Sequence, residues 1–235
     1  MRPTRRLFVR IALAAGIAGA AAAHAQDGDW LSYRDVYRTM VVFEKYGKPK
    51  QFLQQHFQVS ARDGGAPPEG LRLGLSGKTI QLNLPLDGLG RAVFPLLKAA
   101  YDENAVLTVN RKPGQYAYRA RVSIVARPDG VYEAAELRAA CEQALAYQRH
   151  VDAGAYRDKR CVGVRFAFAR KGEASVRARL AGQDGTALPV AEGAAFADEG
   201  GGHAGHPIVN YRFEAGDKGQ VVSQNPPLAI APLFE

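Results

Sequence analysis

The nine residues Asp198-Glu199-Gly200-Gly201-Gly202-His203-Ala204-Gly205-His206 hold the densest run of chemically capable side chains in the sequence. His203 and His206, three positions apart and preceded by two carboxylates, form a donor set that a divalent cation accepts. The glycines argue against it, because a working metal centre needs ligands fixed by a surrounding shell. A loop without a metal is therefore the preferred reading, and no cofactor is expected.

Cys141 and Cys161 are the only two cysteines. A zinc site would need further Cys or His at fixed spacings, which this pair lacks. In an exported chain two lone cysteines pair. The bridge would close a loop worth about 3 kcal/mol in the chain-entropy picture. His56 and His150 stand alone, and no nucleophile motif, phosphate loop or dinucleotide fingerprint occurs. A hydrolase would have to gather His56, Asp87, His203 and His206 from distant positions. Arg119, Arg121, Arg165, Arg177 and Arg179 alternate with apolar residues. They either present a basic sheet face to an anionic envelope component or a protein, or are solvated outward positions of half-buried strands.

The compartment follows from MRPTRRLFVRIALAAGIAGAAAAHAQ. Arg2, Arg5, Arg6 and Arg10 precede an apolar run from Ile11 to Ala23, and Ala23-His24-Ala25 offers small residues where a signal peptidase reads them. Residues 1–25 are expected to be a cleavable signal, with the mature chain starting at Gln26. The Arg5-Arg6 pair followed by Leu7-Phe8 fits twin-arginine export as well as the general secretory route. The apolar run is shorter than the ~20 residues a spanning helix needs. Loss of four arginines and no acids lowers the formal net charge from +8 to +4. No basic stripe remains of the kind that binds nucleic acid. The expectation is a periplasmic protein with no transmembrane segment, whose partner is an envelope protein or an anionic envelope component.

The elements that must position these groups are mostly strands. Tyr33, Val36, Tyr37, Met40 and Phe43 recur at helical spacing behind Ser32, predicting a helix that Gly47 and Pro49 stop. Leu71, Leu73 and Leu75, then Ile80, Leu82 and Leu84, alternate around Ser76-Gly77-Lys78 and predict a hairpin. A second hairpin is predicted for 105–110 with 115–126, and a last one for 208–214 with 220–224. Between them Leu137, Cys141, Ala144, Leu145 and Gln148 mark one face of a second helix, 132–149. Val162, Val164, Phe166 and Phe168 alternate in a strand opened by Cys161, so a bridge would pin that helix to that strand. Asn225 to Glu235 is rich in proline and reads as irregular.

Tyr33-Arg34-Asp35, Phe43-Glu44-Lys45-Tyr46-Gly47, Pro85-Leu86-Asp87, Ala105 to Asn110 and Arg111-Lys112-Pro113-Gly114 together resemble a group of exported proteins of Gram-negative bacteria with no assigned activity. The resemblance covers most of the mature chain and implies no catalytic residue. The expected fold is α+β, mostly antiparallel β, with one or two small sandwich-like modules and two principal helices. The divisions read as 26–50, an amphipathic helix; 51–127, a first β module; 128–225, a helix plus a second β module; and 226–235, the tail. The expected role is a non-catalytic binding or assembly module of the envelope, with an envelope hydrolase as the alternative.

Overall fold

Short period-two runs separated by Gly and Pro become strands, and the fold is α+β with every ladder antiparallel. The computed structural model describes residues 30–112, 114–180, 185–199, 205–214 and 218–235. The expected signal, residues 1–25, and His203 lie outside them. The first half runs β1 (Trp30–Ser32), α1 (Tyr33–Lys45), β2 (Leu53–Ala61), β3 (Leu73–Ser76), β4 (Gln81–Leu84), β5 (Arg91–Ala92), α2 (Lys98–Asp102), β6 (Val106–Val109) and β7 (Tyr116–Ile124). The second runs β8 (Val131–Glu133), α3 (Ala134–Val151), α4 (Ala153–Tyr156), β9 (Cys161–Ala167), β10 (Val176–Leu180), β11 (Thr186–Ala187), β12 (Val190–Gly193), β13 (His206–Arg212), β14 (Gly219–Ser223) and β15 (Ala229–Phe234).

A seven-stranded sheet, in the order β12-β13-β9-β15-β7-β2-β5, is joined by two four-stranded sheets, β1-β6-β3-β4 and β11-β10-β14-β8. The large sheet takes strands from both sides of residue 127, so the division expected there runs through one sheet. β2 and β7 pair residue for residue from Leu53↔Ile124 to Ala61↔Tyr116. This register puts Leu53, Phe57 and Val59 on the same face as Tyr116, Val122 and Ile124, because side chains alternate along a strand. Two hydrophobic clusters share that face. Over Phe57, Val59 and Tyr116 lie α1 and the leucines of β3, β4 and β6. Over Leu53, Val122, Ile124, Phe166 and Ile230 lie α3 and the inner residues of the β8 sheet.

The helices bury the stripes their spacing dictates. Tyr33, Val36, Met40 and Phe43 of α1 are buried, and each large apolar side chain so removed from water contributes about 1.5–3 kcal/mol. Tyr33 also satisfies its hydroxyl, which donates to Pro95 O at 2.6 Å and accepts from Leu97 N at 2.8 Å. α3 buries Leu137, Ala140, Cys141, Ala144, Leu145 and Tyr147. Cys141 meets Cys161 at the start of β9 with a Cα–Cα distance of 5.9 Å, and the two sulfurs stand at disulfide separation. α4 interrupts the connection between them.

Three expectations are corrected. Residues 105–110 and 115–126 are not a hairpin: β6 pairs with β1 and β3, whereas β7 pairs with β2 and β15. The register Leu73↔Val109 and Leu75↔Leu107 lets β6 complete a leucine face with β3, and a turn at 111–115 fixes only that the chain bends. Residues 208–214 and 220–224 likewise separate, β13 joining β9 and β14 joining β10 and β8. The tail is a strand at the heart of the large sheet, with Ala229, Ile230, Ala231 and Leu233 buried. A strand covered on both faces shows no alternation, and Pro232 lies beyond the pairing to β7, which is confined to Ile230↔Ile124. β11 and β12, separated by two residues, belong to different sheets.

Candidate functional site

The opposite face of the large sheet is polar, and much of it is buried. The same alternation that sends leucines inward places Gln54, His56, Gln58 and Ser60 of β2 beside Arg119, Arg121 and Ser123 of β7. Arg91 of β5 stands opposite Gln58. Gln58 (3% exposed), Arg91 (4%), Arg121 (6%) and Ser123 (0%) have left water, and a buried guanidinium is tolerable only when paired and hydrogen-bonded.

The segment 194–199, which follows β12, supplies the pairing. Phe196 packs on Ala167, Ala229 and Ala231, where short side chains on β9 and β15 leave room for the ring, and against Leu89 and Ile208. Its ring centroid lies 4.2 Å from Arg121 Cζ and 5.9 Å from Arg91 Cζ. Arg121 Nη1 donates to both oxygens of Asp198 at 2.7 Å, Nη2 to Glu199 Oε1 at 3.1 Å and Nε to Gln58 Oε1 at 2.9 Å. The Gln58 amide donates onward to Leu89 O at 3.1 Å and Glu199 Oε1 at 3.2 Å. Arg119 Nη1 approaches Asp198 at 3.8 Å. Arg121 thus makes four hydrogen bonds with its five N–H donors and is capped by an aromatic face.

Arg91 is held by its own turn. Asp87 accepts from the Leu89 and Arg91 amides and from Arg91 Nε, each at 2.9 Å. Gly90 has φ +69°, and a Cβ there would come within 2.1 Å of Val59 O. Only glycine lets the turn press this closely on β2. Arg91 also donates to Leu228 O and reaches Ser123 Oγ at 3.5 Å.

Beside this network the sheet opens. β7 and β15 share one pair, Ile124↔Ile230, and past it they part around a cleft of about 280 Å³. Arg121 and Val122 line it from β7, and Ala231, Pro232 and Phe234 from the β15 side. Phe196, Ala197 and Asp198 close one flank; Gln148 of α3, with Ala155, Tyr156 and Lys159, forms the roof. All four roof residues lie between Cys141 and Cys161. Burial pushes the Tyr156 phenol up, Asp198 adds to this and Arg121 opposes it.

The structure distributes the residues singled out from sequence unevenly. Arg119, Arg121 and Arg165 share the polar face, where Arg165 donates to Asn210 Oδ1 at 3.0 Å and Ala194 O at 2.8 Å. Arg177 and Arg179 sit on β10 in another sheet, and Arg177 donates to Gly185 O. The five arginines therefore form no single basic face. His56 lies on the polar face directly across from Arg121. Its Nδ1 is buried with no hydrogen-bond partner among the described residues. Burial, and then the Arg91 charge, lowers its pKa, with Asp87 opposing. Asp87 is hydrogen-bonded to Arg91 instead. His206 lines a separate recess of about 30 Å³ with Gln58, Ser60 and Glu199, which neither His56 nor Asp87 lines. Asp198 and Glu199, offered by the sequence to a metal, are turned onto Arg121. Among the described residues no group of three His, Cys, Asp or Glu side chains is placed to hold a metal ion.

Sequence reasoning missed Arg91, Gln58, Phe196 and the cleft itself. The one available signal was Phe196 close ahead of two acids, a pattern suited to capping an arginine. Among the described residues no helix is long and apolar enough to cross a membrane. Compared with protein-family models, curated proteins and solved structures, the chain matches none.

Proposed function

We propose that this chain is an exported, periplasmic, non-catalytic binding module of the cell envelope, and that the cleft between β7 and β15 is where it binds. One observation carries this reading. The cleft is built into the sheet, with its walls fixed by strand pairing, by the cysteine pair and by the arginine network. Pre-formed concave sites with apolar walls and a few placed polar groups are how proteins hold small ligands. Beside it the charged groups are spent on one another: Arg121 on Asp198 and Glu199, Arg91 on Asp87. Export is supported by the signal-like residues 1–25 and by the cysteine pair, since such pairs persist outside the cytoplasm. The resemblance to exported proteins of Gram-negative bacteria belongs to the same proposal.

Native mass spectrometry of the protein purified from the extracytoplasmic fraction of its own cells tests it. A small molecule retained by the wild type and absent from Ala155→Trp, which fills the cleft from an exposed position, is the expected result. Turnover of chromogenic ester, phosphate or glycoside substrates that disappears in His56→Gln would overturn the reading in favour of an envelope hydrolase.

A further inference from the structure

The roof and the floor of the cleft differ in chemistry. Gln148, Tyr156 and Lys159 bring an amide, a phenol and an amine to the roof, and none of these side chains donates a hydrogen bond among the described residues. The floor is Val122, Pro232 and Phe234, with the Phe196 ring beside it. Of the charged groups that line the cleft, Arg121 and Asp198 cancel, both Asp198 oxygens accepting from Arg121 Nη1 at 2.7 Å. Arg119, 3.8 Å from Asp198, balances the second carboxylate, Glu199, that Arg121 also holds. Glu235, which feels the Lys159 charge, is hydrogen-bonded to Arg212. Lys159 is left as the net charge among the side chains that line the cleft, while Asp152, whose charge Tyr156 feels, lies outside the lining and accepts from Ala155 N. A cation with three donors beside a phenol and an amide, facing an apolar floor, matches an anion carrying an apolar body.

We propose that the cleft binds a small organic anion, its carboxylate or phosphate head met by Lys159, Tyr156 and Gln148 and its apolar body laid on Phe234, Pro232 and Phe196. The proposal deepens the binding-module reading and rests on it. At about 280 Å³ the cleft is just below the range of drug-sized ligand sites, about 300–1,000 Å³. A ring or a short chain fits, and a polymer segment does not.

The test is an NMR titration of the oxidised full-length mature protein with phenylacetate, phenyl phosphate and phenylacetamide at one ionic strength. Amide shifts are expected at residues 148–159 and 231–234. At least one of the two anions should bind tighter than the neutral amide by about tenfold or more, the scale of a charge-assisted hydrogen bond. Whichever anion binds more tightly assigns the head group. Lys159→Met, at an exposed position, should erase most of that preference by weakening the anions far more than phenylacetamide, while Ala155→Trp should abolish all three titrations. Equal binding of acid and amide within the cleft would overturn the anion assignment and leave the binding module standing. A protein that retains its own ligand in native mass spectra, yet shows no cleft shifts with any of the three probes, would also overturn the anion assignment. Absence of both would remove the reading on which it rests.

Discussion

Arg121→Met should destabilise the fold more than any other single change on the polar face. Methionine keeps the apolar stem but removes the guanidinium, leaving the Glu199 carboxylate, only 7% exposed, without its charged partner. Breaking a buried ion pair by deleting one member costs about 3–5 kcal/mol. Asp198 adds little to this, because its side chain is 50% exposed and water replaces the lost contact. Loss of the cation over Phe196 contributes about 0.5–2 kcal/mol. The expected total of roughly 3.5–7 kcal/mol corresponds to a fall in Tm of about 7–28 °C for a chain of this size. Urea unfolding followed by far-UV circular dichroism is the suitable assay, since the single tryptophan, Trp30, is 68% exposed and a poor reporter of the core. Arg121→Met combined with Glu199→Gln should be less destabilised than the sum of the two single variants by about 1.5 kcal/mol or more, because the orphaned charge is gone. A loss below about 1 kcal/mol for Arg121→Met, or strict additivity in the double variant, would refute the network as a determinant of stability.

Three further outcomes are expected. His56 has its pKa lowered in the folded protein, so the unfolded chain binds the proton more readily. Its contribution is complete above about pH 6.5 and is lost as pH falls through the folded value. His56→Gln should flatten that slope in urea midpoints measured across the range, and an unchanged slope would assign the pH dependence elsewhere. Cys141→Ala with Cys161→Ala should lower stability by about 3 kcal/mol and increase proteolysis within 142–160, because the covalent tie between α3 and β9 is gone and the roof is then held by hydrogen bonds such as those from Arg149 to Tyr156 O and between Arg160 and Glu235; a cleavage pattern identical to wild type would show that the bridge does not hold the roof. Intact mass of the exported protein should place its first residue at Gln26 and show the deficit of an oxidised cysteine pair, whereas a product retaining residues 1–25 would contradict the signal reading.

Local physics was legible in the sequence and long-range pairing was not. The α1 stripe from Tyr33 to Phe43, the β3–β4 hairpin and the Cys141 face of α3 all follow from residues within a few turns of one another. β6 and β7 illustrate the limit, since alternation shows that each is a strand but not which strand lies beside it. β15 was hidden by three prolines within 225–235 and by burial on both faces, which removes the polar half of the alternation. Arg121 shows the same limit at the site. Its outward alternation was visible, but its burial depends on Phe196, Asp198 and Glu199, more than seventy residues away. Asp198 and Glu199 looked like metal ligands because composition records charge and not the direction in which it is turned.

The position of β15 also sets the order in which the molecule can be finished. Of the described strands it is synthesised last, yet it stands in the middle of the large sheet, between β9 and β7. Until it arrives, β2, β5 and β7 on one side and β9, β12 and β13 on the other expose open strand edges, the templates from which edge-to-edge aggregation starts. Ile230 must find Ile124 across more than a hundred residues of chain, and such distant pairing is slow. A chain crossing a membrane from its N-terminus would hold two unfinished half-sheets until β15 emerged. The interval before this last strand docks is the period in which the protein most needs a holding chaperone in the compartment where it folds.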